Sequence, residues 1–402
     1  MVSLFTGAGG LDLGLEAAGF SPRLCVELDQ NARETLASNK PTWRLSEPGD
    51  VHELLNSGGL RTQAGSQPGE VTLLAGGPPC QPFSKSGYWV TGDTKRLADP
   101  RASTLTAYLD VVEDLLPEVF LLENVRGLGY SGKDNGMKLI ERKIAGINRK
   151  HGTKYKITKL LLNAADYGVP QLRERLFVVA HRKGRQIEPP MPTHGLHGSG
   201  LLPHVTAWDA LADVNVSSCP EIELTGKWAK LVPSIPEGKN YLWHTPGGGG
   251  EPLFGWRTRY WSFLLKLAKA QPSWTILASP GPATGPFHWD NRRLAIAELA
   301  RLQTFPNSFR VNCGYRTAHQ QIGNAVPPLL GEVLGLEICR QLLNREVPQP
   351  SQYVIPKRDD CPPPARHRAV ARHYLTLSGE HAPHPGTGLG PAAKTRPESE
   401  SP

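Results

Sequence analysis

The sequence lacks the cysteine spacing that a structural zinc site requires. Its six cysteines lie far apart: Cys25, Cys80, Cys219, Cys313, Cys339 and Cys361. They form no CxxC pair and no cluster with histidine, whereas structural zinc needs about four ligands in short paired spacings. Scattered cysteines also fail to make a disulfide framework and are typical of a reducing compartment. The sequence therefore predicts no metal centre and a cytoplasmic location.

Long apolar runs and a targeting leader are missing too. No stretch approaches the roughly 20 apolar residues that span a bilayer, so no membrane segment is predicted. The opening residues MVSLFTGAGG carry no basic leader and lead directly into a strand, which predicts no signal peptide. No internal repeat is present.

What remains is the composition of an ordinary soluble enzyme. The 402 residues are 39% hydrophobic and 20% charged, which is enough for a substantial core. That length suits one large domain with a smaller one, or two comparable domains. The net charge of +8 favours an anionic partner, nucleic acid above all, although many unrelated proteins are equally basic.

Residues 1–180 alternate short apolar runs with amphipathic segments. The predicted strands are Val2–Phe5, Leu24–Glu27, Val71–Ala75, Val119–Leu122, Ile157–Leu162 and Arg175–Ala180. Leu105, Leu109, Val112 and Leu116 have the spacing of one helical face, which predicts a helix over 103–116. Near-continuous apolar strands that alternate with helices predict an α/β fold with a mostly parallel sheet covered on both sides.

The amino-acid composition and the periodicity change from about residue 181. Residues 181–290 are rich in Gly, Pro, His and Trp and predict a loop-rich second domain. Periodicity returns in 292–305 and 328–343, which are predicted helices. From 348 onward 11 of 55 residues are proline and few are large and apolar, which predicts a disordered tail.

A glycine loop follows the first strand, in FTGAGGLDLGLEAAGF. Such a loop brings backbone N–H groups and a helix N-terminus close to a ligand. Glu27 ends the next strand about 20 residues on, where comparable folds hold a ribose. The loop does not complete GxGxxG, because Asp12 occupies the last glycine position, so a nucleoside cofactor without pyrophosphate is favoured. Further on, Asp50 in Gly49–Val51 is suited to an adenine amino group; both features also fit simple turns.

The stretch GGPPCQPFS holds one cysteine in a rigid loop directly after an apolar run. Glycine and proline together predict a fixed, non-helical turn around Cys80. That thiol could be a packed core cysteine, a metal ligand, half of a disulfide or a nucleophile. The scatter of the other cysteines weakens the metal and disulfide readings.

Taken together, these pieces resemble the cytosine-C5 DNA methyltransferases, a class that depends on S-adenosylmethionine. The matching motifs stand in order as FTGAGG (5–10), Glu27, GDV (49–51), GGPPCQPFS (76–84), ENV (123–125), QLRER (171–175), RRLAIAELARLQTFP (292–306) and QIGNAVPP (321–328). They run from the first strand to Pro328 and leave only a variable region and the tail unmatched. The resemblance implies a Rossmann-like catalytic domain with a smaller target-recognition domain.

The resemblance implies covalent catalysis at the cytosine ring. Cys80 would add to C6 while Glu123 protonates N3, which makes C5 nucleophilic enough to accept a methyl group. Arg175 would contact the cytosine O2 and Glu123, Arg173 would brace the active-site loop, and the Pro79 carbonyl would accept from the cytosine amino group. Most of these residues have a plainer alternative. Cys80 could be a small buried apolar residue, Glu123 an ordinary surface glutamate, and Arg173 and Arg175 part of a solvated basic strand end.

The resemblance also implies a pocket for S-adenosylmethionine and no metal. The pocket residues would be Phe5, Gly7, Gly9, Gly10, Glu27, Asp50, Val51 and Asn324. Phe5 would stack on adenine, Glu27 would hold the ribose hydroxyls, and Asp50 would bind the adenine amino group. Because Asn324 comes from QIGNAVPP, the catalytic domain would be discontinuous, with 1–180 completed by 318–347.

Double-stranded DNA is the partner that the resemblance implies. The enzyme would flip the target base out of the helix, with residues 82–102 as a loop that closes on it. The region 181–317 would form the recognition domain, and 348–402 the tail. Candidate DNA contacts are Ser84, Lys85, Arg257, Arg259 and Thr275. The aromatic residues of GWRTRYWSF suit either DNA or a local core.

Four alternatives are weaker. Exocyclic-amine methyltransferases use (S/D/N)PP(Y/F/W), whereas this chain has PPC with ENV. The transfer-RNA branch of the family carries CFT in its recognition region, and no CFT occurs here. A nicotinamide oxidoreductase or a catalytically inactive relative leaves the intact motifs unexplained. We therefore expect a monomeric modification methylase of a prokaryotic cytoplasm, functionally paired with a restriction endonuclease, or a solitary regulatory methylase.

Overall fold

The protein is seen in a computed structural model that describes residues 1–79, 102–129, 135–196, 198–216, 220–256 and 258–377. Cys80, Ser84, Lys85 and Arg257, all candidates from the sequence, lie outside the described residues. The predicted closing loop, residues 82–102, also lies outside them except for Ala102.

Ten strands occur in the described part of the chain. They are β1 (Val2–Leu4), β2 (Leu24–Val26), β3 (Leu73–Gly76), β4 (Val119–Asn124), β5 (Lys156–Asn163), β6 (Gln171–Leu172), β7 (Glu174–His181), β8 (His194–Gly195), β9 (Leu202–Pro203) and β10 (Ser273–Trp274). Six of them form one sheet in the order β2-β1-β3-β4-β7-β5, and the others form two short pairs. The first four strands of that sheet run parallel, while β7 is antiparallel to both β4 and β5. The predicted mostly parallel α/β sheet is confirmed.

Eleven α-helices surround or extend this sheet among the described residues. They are α1 (Gly10–Ala17), α2 (Gln30–Asn39), α3 (Val51–Asn56), α4 (Gly59–Ala64), α5 (Ala102–Leu115), α6 (Asn135–His151), α7 (Ala207–Leu211), α8 (Ile296–Leu302), α9 (Tyr315–Asn324), α10 (Pro328–Glu337) and α11 (Arg372–Leu375). One apolar cluster packs α1, α8 and α10 against one face of the sheet. A second cluster packs the four helices from α3 through α6 against the other face. Because both faces are covered, the central strands are apolar along their whole length.

The register of the parallel strands gathers their carboxyl ends at one edge. Leu4 lies opposite both Val26 and Gly76, and Gly76 lies opposite Leu122. The residues that follow these strands therefore meet at the same edge, where ligands bind in open α/β sheets.

The C-terminal helices return to the first helix. A Cβ on Gly10 would lie 2.2 Å from the Val326 carbonyl oxygen, and one on Gly14 would lie 2.2 Å from that of Pro328. Only glycine permits this approach of two backbones. The contact of α1 with α10 thus brings residues 324–328 beside the glycine loop.

A third apolar cluster lies apart from the sheet. It is built from Leu231, Val232, Ile235, Tyr241, Leu253, Phe254, Phe263, Leu264, Phe287 and Tyr374. Residues 294–309 instead pack into the first cluster with the sheet. The sequence placed all of 181–317 in the second domain, whereas the separate core draws on 231–287 and on the tail.

The helix predicted over 292–305 is shorter in the structure. The Glu298 carboxylate accepts hydrogen bonds from the Arg292 guanidinium and from the Ala295 backbone N–H, each at 2.7 to 2.8 Å. These bonds hold 292–295 in a non-helical capping segment, so α8 starts only at Ile296.

Residues 348–377, the described part of the tail, contain buried side chains, whereas the sequence predicts a disordered segment. Tyr353 and Ile355 are buried in the first cluster, and the Tyr353 hydroxyl donates to the Leu13 carbonyl at 3.2 Å. Further on, Tyr374 stacks on Trp228 with ring centroids 6.0 Å apart. Residues 348–377 therefore connect the two regions, because their few large apolar side chains are buried.

By length and composition, one described stretch could cross a membrane: Tyr315–Leu342. It comprises α9, α10 and the helical turn Ile338–Leu342, and 89% of its most apolar part is buried inside the protein. Every residue of α10 is buried, which is what a core helix requires.

Candidate active site

A cavity of about 870 Å³ opens at the carboxyl edge of the sheet. Its lining includes ten of the residues that the sequence singled out: Phe5, Gly7, Gly10, Glu27, Asp50, Val51, Pro79, Glu123, Arg175 and Asn324. The parallel register explains part of this convergence, since Phe5, Glu27 and Pro79 come after β1, β2 and β3. Glu123 lies near the carboxyl end of β4, Arg175 near the start of antiparallel β7, and Asn324 in the segment that returns beside α1.

Glu27 is fixed in the cavity by the glycine loop. One of its carboxylate oxygens accepts from the Gly7 backbone N–H at 2.7 Å, and the other accepts from the Asp29 N–H at 2.8 Å. Burial raises the pKa of Glu27, and these N–H groups oppose that rise. Phe5 enters the loop with φ of 55°, a conformation that few side chains adopt. The carboxylate is thereby oriented before any ligand arrives.

Asp50 and Val51 line the cavity next to Glu27, since a Cβ on the preceding Gly49 would lie 2.3 Å from the Glu27 carbonyl oxygen. The Asp50 carboxylate caps α3 by accepting from the His52 backbone N–H at 2.8 Å, and Val51 is buried behind it. Gly9 does not line the cavity. Its φ of 76° and its contact with Leu36 and Trp43 make it a packing residue of the loop.

Glu123 and Arg175 form a buried ion pair that lines the cavity. Glu123 Oε1 lies 2.9 Å from Arg175 Nε, and the two side chains are only 12% and 13% exposed. Burial raises the pKa of the Glu123 carboxyl, and the Arg175 and Arg173 guanidinium groups oppose this. A Cβ on Gly77 would lie 2.8 Å from Glu123 Oε2, so glycine leaves room for the carboxylate.

Asn124 ties the ENV motif to the proline loop. Its side-chain amide donates to the Pro78 carbonyl at 3.3 Å, and its amide oxygen accepts from the Val125 N–H at 3.0 Å. Pro79 is exposed at the rim of the cavity, immediately before Cys80.

Arg173 lies behind the cavity and is fully buried, which excludes the solvated strand end that the sequence left open. Its guanidinium donates to the carbonyls of Gly323 at 2.9 Å, Ala325 at 2.8 Å and Ile276 at 3.4 Å. In the described residues it therefore braces the QIGNAVPP segment, which holds Asn324 at the cavity.

Two candidate DNA contacts lie elsewhere. The Arg259 guanidinium lies over the Phe254 and Phe263 rings of the third cluster at 5.8 and 5.9 Å. The Thr275 hydroxyl donates to the Leu172 carbonyl at 2.6 Å and so joins β10 to β6.

Comparison with known proteins agrees with this geometry. The family model for C-5 cytosine-specific DNA methylases matches residues 1–232 and 256–340. The type II methyltransferase M.SacI of Streptomyces achromogenes is 40% identical over 377 residues, which cover 85% of this chain and 93% of that protein. The chain belongs to the C-5 cytosine-specific DNA methylases.

Two further proteins extend the match. The type II methyltransferase M.NgoFVII of Neisseria gonorrhoeae is 30% identical over 336 residues, covering 82% of this methylase and 83% of that one. A solved E. coli structure, described as a DNA modification methyltransferase encoded within a prophage, has a TM-score of 0.57 and 25% identity. That alignment covers 86% of this chain and 99% of the other. The protein is therefore a DNA cytosine-C5 methyltransferase with the fold of its class.

Family membership implies S-adenosylmethionine as the methyl donor, and the cavity of this methylase suits it. Among the described charged side chains that line the cavity, five are acidic: Asp12, Glu27, Asp29, Asp50 and Glu123. The one guanidinium, Arg175, is paired with Glu123. An excess of carboxylates favours a cationic ligand such as a sulfonium. The described residues contain no group of three or more His, Cys, Asp or Glu side chains arranged for a metal ion.

The sequence did not single out Asp12 as a ligand residue. It entered only as the side chain that interrupts GxGxxG, yet the structure buries it against the cavity. Its position in the first turn of α1, directly behind the glycine loop, was the available signal.

Proposed function

We propose that this methylase transfers a methyl group from S-adenosylmethionine to C5 of a flipped-out cytosine in a short double-stranded DNA sequence, through a covalent bond between Cys80 and C6. The observation that carries the proposal is the buried Glu123–Arg175 pair, which faces the cavity beside Gly77 and Pro79. Those residues lead directly into Cys80 along the chain.

Cys80 is the proposed nucleophile. Its thiolate adds to C6 of cytosine, and C5 becomes nucleophilic as the ring electrons shift. Because an ordinary thiol with a pKa near 8.5 is mostly protonated at neutral pH, the site must favour the thiolate.

Glu123 is the proposed proton donor to N3. The raised pKa of its buried carboxyl suits a group that gives up a proton near neutral pH. Arg175 holds that carboxyl in place through its Nε and lies next to where the cytosine O2 would be. The Pro79 carbonyl, at the cavity rim, accepts from the cytosine amino group.

S-adenosylmethionine supplies an electrophilic methyl group when bound. Glu27 would hold the ribose hydroxyls, Phe5 and Val51 the adenine faces, and Asp50 the adenine amino group. Gly7 and Gly10 would line the pocket without a side chain that could block the ligand. Gly9 would shape the loop, and Asn324 would close the pocket. After methylation, loss of the C5 proton to water, departure of the Cys80 thiolate and return of the N3 proton to Glu123 would restore the aromatic ring.

DNA recognition is proposed for the region apart from the sheet. The candidate contacts are Ser84, Lys85, Arg257 and Arg259, while Thr275, whose hydroxyl donates to the Leu172 carbonyl, is assigned to the joint between the two regions. Base flipping is needed because C5 and C6 of a stacked cytosine cannot reach a cavity at a sheet edge.

The names of the relatives support a place in a type II modification system. M.SacI and M.NgoFVII are both called type II methyltransferases. We infer a cytoplasmic prokaryotic monomer that protects DNA from a paired restriction endonuclease. A solitary regulatory methylase is the alternative, and an RNA cytosine-C5 methyltransferase is a weaker one.

Incubation with tritiated S-adenosylmethionine and either duplex DNA or transfer RNA tests the proposal. Label is expected on C5 of DNA cytosine and not on RNA. Duplex containing 5-fluorodeoxycytidine should form an adduct that survives denaturation, and Cys80→Ala should abolish both label and adduct. Cys361→Ala, which removes an exposed free thiol, is the control and should retain both. Adduct formation by Cys80→Ala, or label on RNA alone, would contradict the proposal.

A further inference from the structure

Asp12 is a buried carboxyl that the proposed reaction does not use. It lies in the first turn of α1, is 2% exposed and lines the cavity. Its Oδ1 has no hydrogen-bond partner within the described residues. Buried polar atoms are nearly always paired, so an unpaired carboxylate oxygen in a residue that lines a cavity points to a donor that a ligand would supply.

The protein surroundings of Asp12 do not supply that donor. The Ser3 hydroxyl hydrogen-bonds the carboxyl and lies 3.1 Å from the Thr6 hydroxyl. The Met1 amino group is near enough to attract it, while Cys25 and Glu16 are the other titratable neighbours. No lysine or arginine among the described residues forms an ion pair with it, and burial raises its pKa to about 6.

The position of Asp12 in the cavity limits what the donor can be. Glu27 and Glu123 line the same cavity and are already assigned to the ribose and to the cytosine. Asp12 lies in the first turn of α1, directly after the glycine loop that joins β1 to α1. A helix N-terminus favours an anion, and a neighbouring carboxylate favours a cation, so the pair suits a zwitterion.

We propose that Asp12 binds the α-ammonium group of the methionine part of S-adenosylmethionine through Oδ1. This inference rests on the proposed cofactor. An ammonium offers three donors and no acceptor, which matches an unpaired carboxylate oxygen. A carboxylate that served only the dipole of α1 would not need to be buried at a cavity wall.

Calorimetric titration with three ligands tests the assignment. The ligands are S-adenosylhomocysteine, its decarboxylated form, which keeps the amine, and its deaminated form, which keeps the carboxylate. Asp12→Asn should weaken binding of the two amine-containing ligands about 10- to 100-fold, as expected for loss of a hydrogen bond to a charged group. Binding of the deaminated ligand should change less than about twofold, because that ligand has nothing to offer Asp12.

Glu16→Gln is the matched control. Glu16 lies on the same helix but accepts from Trp43 Nε1 and Lys40 Nζ instead of facing the cavity, so all three affinities should hold. Asp12→Ser provides a second variant if Asp12→Asn fails to fold, as judged by circular dichroism. Equal weakening of all three ligands by either variant would overturn the role of Asp12 alone. Failure of the unmodified protein to bind S-adenosylhomocysteine would overturn the proposed cofactor as well.

Discussion

The sheet with its cavity and the third apolar cluster are built on different principles. In the first, six strands fix the backbone, and functional side chains follow the strand ends. In the second, short turns are held together by aromatic rings and by side chains that bond to backbone groups. Tyr241 packs against Phe254 and Phe263, and Asn240 donates to the Trp261 carbonyl at 2.7 Å.

This difference separates chemistry from shape. At the sheet edge, the hydrogen bonds between strands prevent small backbone shifts. A site with a buried Glu123–Arg175 pair requires such a fixed backbone. Turns held by side chains can change from one protein to another without loss of the sheet, which suits a region that reads a particular DNA sequence. Loss of one side chain should therefore affect reaction rate in the first region and local stability in the second.

The largest expected effect comes from Glu123→Gln. Removal of the acid should lower kcat about 10²- to 10⁴-fold, the usual contribution of general acid catalysis, with cofactor affinity retained. Single-turnover methylation of duplex DNA measures the rate. Because the donor must be protonated, the rate of the unmodified enzyme should fall as pH rises through the raised pKa of Glu123, and the variant should lack that decline.

Glu174→Gln is the control for this prediction. Glu174 belongs to the same QLRER segment but is exposed and pairs with Arg126 at 2.8 Å. It should methylate at the normal rate. If Glu123→Gln reacted as fast as Glu174→Gln, the proposed role of Glu123 as the catalytic acid would be wrong.

Much of the sheet region was predictable because its signals are local. Apolar runs gave β1 to β4, and each run ends in a residue of the site, such as Glu27 or Glu123. Burial of a charged side chain is not local, however. Arg173 is buried because residues 323–325 return from the far end of the chain and accept its hydrogen bonds. Asp12 is buried where α1 packs near Ser3 of β1, so the sequence could not predict the surroundings of either residue.

The second region was less predictable for the same reason. Its core draws on Trp228, Tyr241, Phe263 and Tyr374, which lie in turns or in helical segments too short to show periodicity in the sequence. The shortened α8 is a further case, because one carboxylate, Glu298, decides where the helix begins.

An intermediate effect is expected from Tyr374→Ala, which should loosen the second region. Tyr374 is 2% exposed, stacks on Trp228 and donates to the Lys227 carbonyl at 2.7 Å. Loss of a buried aromatic ring costs about 3 kcal/mol. Denaturant unfolding followed by tryptophan fluorescence should show an earlier transition, while S-adenosylhomocysteine binding at the sheet edge persists. Arg372→Ala, an exposed neighbour, should leave unfolding unchanged; equal stability of the two variants would mean that the tail does not complete this core.

The smallest effect is expected from Thr275→Val, at the joint between the two regions. The Thr275 hydroxyl donates to the Leu172 carbonyl two residues before Glu174, so it links β10 to the QLRER segment. Loss of one such hydrogen bond should lower the free energy of unfolding by about 1 kcal/mol, and Thr275→Ser should restore it. DNA affinity, measured at fixed salt, should then change little in either variant. If Thr275→Val weakened DNA binding several-fold with unfolding unaltered, the hydroxyl would contact DNA, and the joint would belong to the recognition surface instead.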